Sequence, residues 1–355
     1  MKTAIILGTR PEIIKFAPII QKLSKNSSII FSGQHYDYEM GLKFIDELNL
    51  RKPDYKLKLS YKDPSQQVGQ IISKLSPILK KINPDTVMVQ GDTNTVLAAS
   101  IASLKSKIPI SHVEAGLRSF DWRMPEEHNR IVTDHISEFL FAPTKTSQTN
   151  LINENVHGKI FVTGNTAIDS INKFVNISTK KSNLEVLISD YILMTLHRAE
   201  NVDNKNTLSS IIQGVLQSKA DIIFPVHPRT LMRLKQFNLY EKLSKSDNVL
   251  LLNSVGYFEI LELMKNCLFI LSDSGGIQEE ATAPKIRKKV LVVRKSTDRP
   301  ESVKAGLSQV IGVKKAKIIQ SIKKTIDNPK LASSKMPYGK GDTSSKILKI
   351  LRKNL

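Results

Sequence analysis

The strongest constraint on the fold is a repeated order of short apolar runs, polar turns and amphipathic segments. Thr3–Leu7 is an apolar run that ends in a turn, and a segment with one apolar face follows it to about Leu23. Similar runs recur at residues 28–32, 85–90 and 108–113. Strands that alternate with helices form parallel sheets, with the helices packed against the sheet faces. The pattern therefore predicts an α/β fold with a mainly parallel, doubly wound sheet.

The length of the chain, 355 residues, is about twice that of a common domain, so two domains are expected. Residues 176–183 are poor in apolar side chains and are the best candidate for a linker. Apolar runs followed by polar turns begin again after them. We therefore predict domains at residues 1–175 and 176–343, with the ligand cleft between them, and a last helix at about 344–355 that packs back on the first domain.

Residues 268–280 read Leu-Phe-Ile-Leu-Ser-Asp-Ser-Gly-Gly-Ile-Gln-Glu-Glu. The apolar start predicts a buried strand, and the turn Ser274-Gly275-Gly276 leads into a helix. Glycines allow the backbone to approach a ligand closely and to direct N–H groups at it, and the start of a helix favours anions. The turn suits a phosphate group. Alone, it is equally typical of a strand-to-helix connection that binds nothing.

Polar residues follow several of the predicted strands, at Thr9-Arg10, Gln34-His35, Asp92 and Glu114. The carboxyl ends of parallel strands lie along one edge of the sheet, where open α/β sheets bind their ligands. Several carboxylates and cations at equivalent positions favour a ligand site over ordinary surface turns.

The formal net charge of +20 raises the possibility of nucleic-acid binding. From Lys304 to the end there are thirteen Lys or Arg residues and two acids, Asp327 and Asp342. Most of these cations fall on the expected exposed faces of two amphipathic helices. No aromatic stacking platform lies among them, and no nucleic-acid-binding motif is present. The charge therefore indicates a solvated, lysine-rich surface without a nucleic-acid partner.

The single cysteine, Cys267, excludes an internal disulfide and a cysteine-based metal cluster. We expect it to be a small buried hydrophobic residue. No apolar run approaches the roughly 18 residues of a membrane span, and Met1 leads directly into the first predicted strand rather than into a cleavable signal. These features predict a cytoplasmic protein with no membrane partner.

Eight motifs combine the turns described above with others along the chain. They are Gly8-Thr-Arg-Pro-Glu12 with Lys15, Gly91-Asp-Thr93, His112-Val-Glu-Ala-Gly-Leu-Arg118, Pro125-Glu-Glu127, Gly164-Asn-Thr166, His197-Arg198 with Glu200-Asn201, Asp273-Ser-Gly-Gly-Ile-Gln-Glu-Glu280 and Arg299-Pro-Glu301. In this order and spacing they resemble the non-hydrolysing UDP-N-acetylglucosamine 2-epimerases. The resemblance covers nearly the whole chain, so it is far more specific than one glycine turn.

The resemblance implies a GT-B-like pair of Rossmann-like domains, usually in a homodimer, with neither a metal nor a redox cofactor. The implied reaction interconverts UDP-N-acetylglucosamine and UDP-N-acetylmannosamine. In it the bond from sugar carbon 1 to UDP breaks while a proton leaves carbon 2, and UDP then adds back after protonation on the other face. The chemistry requires cations and N–H dipoles for the diphosphate, a base, and an acid on the opposite face.

The resemblance also implies roles for individual residues. Arg10, His197 and the turn Ser274-Gly275-Gly276 are expected to hold the diphosphate, with Glu280 on the ribose hydroxyls and Arg299 close to the nucleotide. Asp92, Glu114 and Glu126 are the candidates for proton transfer, and which of them takes the proton stays open. Lys15 is expected to orient or neutralise part of this group. For His227, which also follows the family pattern, contact with substrate and a supporting role are both open.

Two related functions remain as alternatives. A hydrolysing 2-epimerase would release UDP and free N-acetylmannosamine, and a GT-B glycosyltransferase would require an acceptor. The chain also departs from the family pattern at residues 282–289, which are basic and lack the usual glycine, and at residues 36–38. The second departure lies in a loop that forms part of an effector site in bacterial members, so activation by the substrate is an open question.

Overall fold

The computed structural model describes residues 1–23, 26–34, 38–182, 184, 188–329, 331 and 333–355. The chain divides into two compact units. The first contains Met1–Ser170 together with Tyr338–Leu355, and the second contains Ile171–Pro337. Within the described residues, no helix combines the length and the apolar character that crossing a membrane requires. Residues 35–37, part of the loop named above, lie outside the described residues.

The first unit is built on a parallel sheet. Within the described residues its strands are β1 (Thr3–Leu7), β2 (Ser27–Phe31), β3 (Tyr55–Lys56), β4 (Thr86–Gln90), β5 (Ile110–Val113), β6 (Phe139–Ala142) and β7 (Lys159–Val162). Their order across the sheet is β3-β2-β1-β4-β5-β6-β7. The chain therefore reverses its direction of winding between β1 and β4, and such a switch point opens a crevice at the carboxyl ends of the two strands.

Helices connect these strands, and a last helix follows β7 and continues into the second unit. They are α1 (Arg10–Leu23), α2 (Tyr38–Glu47), α3 (Pro64–Ile82), α4 (Asn94–Lys105), α5 (Pro125–His135), α6 (Lys145–Asn153) and α7 (Thr166–Lys181). Local sequence explains where several of them begin. The side chains of Asp63, Thr93 and Thr144 accept hydrogen bonds from the first turns of α3, α4 and α6, and Pro125 occupies the first position of α5, where no amide donor is required.

Apolar side chains fill the space between the first sheet and its helices. One buried cluster joins Ala4 and Ile6 of β1 and Val87 and Val89 of β4 to the apolar face of α3. All the residues of β1 and β4 are buried. Strands that are covered on both faces consist of continuous apolar runs, which is why they could be recognised in the sequence.

The second unit has its own parallel sheet. Its strands are β8 (Ile192–Thr195), β9 (Ile222–Pro225), β10 (Val249–Leu252), β11 (Ile270–Ser272), β12 (Val290–Val292) and β13 (Ser308–Val310). Its helices are α8 (Ala199–Val202), α9 (Lys205–Ser218), α10 (Pro228–Gln236), α11 (Tyr240–Ser244), α12 (Tyr257–Asn266), α13 (Gly275–Glu280), α14 (Pro300–Lys304) and α15 (Lys315–Asp327). The strand order β10-β9-β8-β11-β12-β13 places a switch point between β8 and β11.

The chain ends in α16 (Thr343–Asn354), which belongs to the first unit. Its first turn is fixed by Asp169 of α7. The carboxylate of Asp169 accepts hydrogen bonds from the amides of Thr343, at 3.1 Å, and Ser344, at 2.8 Å, and from the Ser344 hydroxyl. Asp342, at the N-cap position itself, makes no side-chain cap. A side chain distant in the sequence thus caps this helix.

The predicted fold class, α/β with parallel, doubly wound sheets, is confirmed. Several predicted elements differ from the structure. The run at residues 108–113, for example, forms the shorter strand β5, Ile110–Val113. α7 extends to Lys181, through most of residues 176–183, and its Phe174, Val175 and Ser178 are buried. Residue 183 is outside the described residues. The strand predicted at the apolar start of residues 268–280 begins only at Ile270 and includes Ser272.

Candidate active site

The switch point of the first sheet brings together the turns after β1 and β4. A β-carbon on Gly8 would lie 2.2 Å from the Thr95 hydroxyl oxygen, so only glycine allows this approach. Glu12 joins the two turns. Its carboxylate accepts hydrogen bonds from the Gly8 amide at 2.5 Å, the Thr9 amide at 3.3 Å and the Thr93 hydroxyl at 2.7 Å. Arg10, beside it, is exposed, with its guanidinium carbon 5.8 Å from the centre of the Phe44 ring.

Lys15 and Glu114, both predicted site residues, are in direct contact. The Lys15 Nζ lies 2.5 Å from Glu114 Oε2, and the Gln90 side-chain amide donates to the same oxygen. Glu114 is buried and has a φ of 74°, a left-handed conformation that residues with a β-carbon rarely adopt. Such strain persists only where the surroundings enforce it, and it is frequent in active sites.

A buried charge cluster fixes the turn after Glu114. Asp134 of α5 accepts from the Gly116 amide at 3.1 Å, lies 2.7 Å from His112 Nδ1 and pairs with the Arg118 guanidinium at 2.8 Å. Burial by itself raises the pKa of Asp134, but the charges and hydrogen bonds of His112 and Arg118 outweigh it and hold that pKa below its ordinary value. Asp134 is therefore a carboxylate anchor for this turn.

Asp92, in the turn after β4, is held by α5. The Arg130 guanidinium approaches Asp92 Oδ2 through Nε at 2.9 Å and through Nη2 at 2.5 Å. Asn129 donates to the backbone carbonyl of Asp92 at 2.8 Å. Glu126 lies in the first turn of the same helix and is exposed, and among the described residues it forms no hydrogen bond or ion pair with Lys15, Asp92 or Glu114. We call Lys15, Gln90, Asp92, Glu114 and Arg130 the first cluster.

The second unit carries its own cluster at the switch point between β8 and β11. Asp273, fully buried after β11, accepts hydrogen bonds from the amides of His197 at 3.1 Å and Arg198 at 3.0 Å, and from the Asn201 side chain at 3.1 Å. The Nδ1 atom of His197 lies 3.4 Å from the same carboxylate. Asp273 therefore fixes the turn that presents His197.

The imidazole of His197 favours its neutral form. Burial lowers the pKa of His197, the Asp273 carboxylate opposes that effect, and the positive charges of Arg198 and Arg229 add to it. The ring centre of His227 lies 5.7 Å from that of His197, and His227 Nδ1 accepts from the Arg229 amide at the start of α10. His227 thus caps α10 beside His197.

The turn Ser274-Gly275-Gly276 begins α13, as the sequence predicts. The Ser274 hydroxyl accepts from the Ile277 amide at 3.4 Å. A β-carbon on Gly275 would lie 3.3 Å from Asp298 Oδ1 and 3.5 Å from the Arg299 guanidinium carbon, so glycine gives these side chains room beside the turn. Glu280, the last residue of α13, is half-buried.

Arg299 is engaged by two carboxylates. Its Nε donates to the buried Glu279, and its Nη1 lies 3.2 Å from Asp298. Asp298 also pairs with Arg294 at 3.0 Å. Burial raises the pKa of Asp298, but the surrounding arginines outweigh burial and lower it. We call His197, Asp273, Ser274, Asp298 and Arg299 the second cluster.

Residues 282–289, where the family pattern has a glycine, form turns as far as residue 286 and then extend irregularly to the start of β12. Arg287 adopts the left-handed conformation there, with a φ of 46°, and its guanidinium donates to the carbonyl of Ser333. Among the described residues, no group of three or more His, Cys, Asp or Glu side chains is arranged to hold a metal ion.

Sequence reasoning identified the residues at the strand ends but missed the side chains that hold them. Glu12 and Asp273 belong to two of the eight motifs, so the sequence marked both as part of the site. Nothing in the sequence indicates which amides they bind. Arg130 follows Glu126 by four residues in α5, which places the two on one side of the helix. That spacing was the one feature of the sequence that could have indicated a place for Arg130 in the site.

The comparisons with known proteins agree with the motif resemblance. A family model described as UDP-N-acetylglucosamine 2-epimerase matches residues 20–352. The chain belongs to this family. A protein of Methanocaldococcus jannaschii named UDP-N-acetylglucosamine 2-epimerase is 45% identical over 99% of both chains. Membership of the epimerase family, predicted from the motifs, is therefore confirmed.

Solved structures and more distant relatives extend the comparison. The crystal structure of the M. jannaschii epimerase in complex with UDP-GlcNAc and UDP matches with a TM-score of 0.87 and 44% identity, covering 99% of this chain and 100% of that chain. A Pseudomonas aeruginosa relative, 35% identical over 99% of this chain and 100% of its own length, is named UDP-2,3-diacetamido-2,3-dideoxy-D-glucuronate 2-epimerase. Members of the family thus differ in the sugar that their names specify.

Proposed function

We propose that the chain interconverts UDP-N-acetylglucosamine and UDP-N-acetylmannosamine without hydrolysing them. A base removes the proton from sugar carbon 2, and the bond from carbon 1 to the diphosphate oxygen breaks with its electron pair going to UDP. The unsaturated sugar then receives a proton on the other face of carbon 2, and UDP adds back to carbon 1. The two half-reactions balance without an oxidant, a reductant or water.

One observation carries this proposal most directly. Glu114 is held in a strained turn, with Lys15 and Gln90 on one carboxylate oxygen, at the carboxyl end of β5. A fixed carboxylate beside a fixed cation suits proton transfer at a weakly acidic carbon. We assign this role to Asp92, Glu114 and Glu126, with Lys15 as the cation that orients Glu114. A 45% identical relative named for this reaction supports the choice of sugar.

The diphosphate is assigned to Arg10, His197 and the amides of Ser274, Gly275 and Gly276. An arriving anion would oppose the effect of burial on His197 and favour its protonated form, in which both ring nitrogens donate. We assign Glu280 to the ribose hydroxyls, because a carboxylate repels phosphate, and Arg299 to a position close to the nucleotide. On the family resemblance, we further propose a cytoplasmic homodimer, which sedimentation would test.

The reaction is tested by incubating the protein with UDP-N-acetylglucosamine in D2O without an acceptor. We expect both UDP-sugars to accumulate, with deuterium at carbon 2. Release of UDP and free N-acetylmannosamine would identify a hydrolysing enzyme, and turnover only with an added acceptor would identify a glycosyltransferase. A parallel reaction with UDP-2,3-diacetamido-2,3-dideoxy-D-glucuronate tests the sugar of the Pseudomonas relative. A carbon 2 that remains unlabelled in the presence of bound UDP-sugar contradicts the proposal.

Asp92→Asn tests the first cluster. The change removes a charge while keeping the shape of the side chain, so we expect deuterium exchange to fall at least about 10²-fold while the Kd for UDP stays within about twofold. Asp85→Asn is the matched control, since Asp85 precedes the opposite end of β4, where it accepts from the Lys2 amide. Normal exchange in Asp92→Asn would remove Asp92 from the mechanism.

A further inference from the structure

Arg130 is a buried cation whose three guanidinium nitrogens face two different carboxylates. Its Nε and Nη2 both point at Oδ2 of Asp92, at 2.9 and 2.5 Å, and its Nη1 donates to Oε2 of Glu127 at 2.9 Å. The Arg130 side chain is 10% exposed, that of Glu127 2% and that of Asp92 28%. The guanidinium therefore lies between a fully enclosed carboxylate and one that solvent reaches.

Glu127 is fixed independently of Arg130. Its carboxylate accepts from the amide of Ser119 at 2.9 Å, from the amide of Phe120 at 2.8 Å and from the Ser119 hydroxyl at 3.0 Å. Burial raises the pKa of Glu127, yet these donors and Arg130 outweigh burial and lower it. Glu127 is therefore a charged and immobile partner for the guanidinium.

The backbone of Asp92 is held from the same helix. Asn129, the neighbour of Arg130 in α5, donates to the Asp92 carbonyl oxygen at 2.8 Å. The preceding residue, Gly91, has a φ of 83°, a left-handed conformation that glycine adopts readily. Successive residues of α5 thus fix both the main chain and the side chain of Asp92.

We propose that Arg130, braced by Glu127, is a positioning residue that holds Oδ2 of Asp92 and leaves Oδ1 to transfer the proton. The inference rests on the proposed epimerase function. A planar guanidinium holds its N–H donors in a fixed arrangement, so two of them together define the orientation of the carboxylate. A single ammonium group cannot do this. Since α5 also carries Glu126 one turn earlier, the same rigid element positions two of the proposed proton-transfer groups.

The central variant is Arg130→Lys, which keeps the charge and removes the fork. A displacement of about 1 Å in an acid–base group lowers a rate on the order of 10²-fold. We expect kcat for epimerisation to fall by about that factor, while KM and the Kd for UDP stay within about twofold. Arg51→Lys is the matched control, because Arg51 also pairs with an aspartate, its Nη1 contacting both carboxylate oxygens of Asp54 near the opposite edge of the sheet. We expect its kcat to be unchanged.

Two further measurements separate positioning from support of the fold. In an Asp92→Asn background, Arg130→Lys should change the residual deuterium exchange by less than about twofold, because its effect passes through Asp92. Glu127→Gln should lower kcat in the same direction by about tenfold, with UDP binding retained. This second variant also tests the inference if Arg130→Lys does not fold.

Three results would overturn the inference. The first is a kcat in Arg130→Lys or Glu127→Gln close to that of the wild type. The second is a loss of deuterium exchange on Arg130→Lys that is as large in the Asp92→Asn background as in the wild type. The third is a loss of UDP affinity that matches the loss of kcat. Each is distinguishable from failure of the proposed function, which would appear as absent deuterium exchange in the unaltered enzyme.

Discussion

Glu12 is a carboxylate enclosed by the first unit and surrounded by donors. Burial raises its pKa from an ordinary 4.5 to about 7, although the Thr93 hydroxyl and the amides of Gly8 and Thr9 favour the charged form. Because these donors belong to the two turns of the switch point, Glu12 couples the turn that carries Arg10 to the turn that carries Asp92. Its protonation state therefore affects the stability of the site.

A prediction for stability follows from this pKa. The folded chain retains a proton on Glu12 at pH values where the unfolded chain has released it, so the stabilising contribution is complete below about pH 4.5 and is lost as the pH rises through 7. The difference amounts to roughly 3 kcal/mol. Glu12→Gln is expected to remove this dependence, so that its unfolding free energy relative to the wild type rises by about that amount between pH 5 and pH 8.

Urea unfolding at several pH values, followed by circular dichroism, provides the measurement. Exposed Glu241→Gln serves as the control for the loss of a surface carboxylate. If the difference in unfolding free energy between Glu12→Gln and the wild type stays constant from pH 5 to pH 8, Glu12 does not titrate in this range. The amide can retain the contacts, since its oxygen accepts from Gly8 and its nitrogen donates to Thr93.

At this scale the sequence indicates which residues stand at strand ends, because an apolar run followed by a polar turn is a local signal. Lys15 and Glu114 were predicted to belong to one site, and they are in contact. Their supports were not predicted. The pairs Arg130 with Asp92 and Asp273 with His197 are 38 and 76 residues apart, and only the folded chain brings them together.

At the scale of elements, α16 depends on a contact from a distant part of the chain. Its N-cap residue, Asp342, makes no side-chain cap, whereas Asp169 of α7 accepts from two amides and a hydroxyl at the start of the helix. Asp169 is 6% exposed, so these amides would lack a partner without it. The arrangement fastens the C-terminal helix to the first unit.

Asp169→Ala should therefore destabilise the first unit by about 1–3 kcal/mol, since it leaves buried donors without an acceptor. In hydrogen–deuterium exchange, we expect Asp169→Ala to accelerate the exchange of the α16 amides, relative to the wild type, more than that of the α3 amides. Asp342→Ala is the matched control. It removes an exposed carboxylate at the nominal cap, and its effect should stay within about 0.5 kcal/mol. Equal destabilisation by the two variants would refute the role of Asp169.

Elements differ in how well the sequence predicted them, and the reason is physical. β1 has the predicted bounds, because a continuous apolar run that ends in a polar turn marks a buried strand. The C-terminal part of α7 resembled a linker because it contains few apolar residues. The buried residues Phe174 and Val175 lie just before it, in the same helix. β13 has three residues and was not predicted, because so short a run at a sheet edge carries too little periodicity.

At the scale of the whole molecule, the dominant feature is the net charge of +20. Many of the cations are exposed, as predicted for Lys317, Lys323 and Lys324 on α15 and for Lys346 and Lys349 on α16. A UDP-sugar carries two negative phosphates. A strongly positive protein attracts such a ligand over distances comparable with the Debye length, about 10 Å at 0.1 M salt. The charge can therefore speed the association of such a ligand with the protein.

Salt dependence is the test at this scale. We expect kcat/KM for the UDP-sugar to fall several-fold between about 20 and 500 mM NaCl while kcat changes little, because screening slows encounter and leaves the bound state intact. Replacing two exposed lysines, Lys323→Glu with Lys324→Glu, lowers the net charge from +20 to +16 and should reduce the salt slope without altering kcat. The uncharged pair Lys323→Gln with Lys324→Gln should give an intermediate slope. If kcat/KM were independent of salt in all three proteins, the charge would have no part in capturing the substrate, and the reason for so basic a surface would have to be sought in another partner.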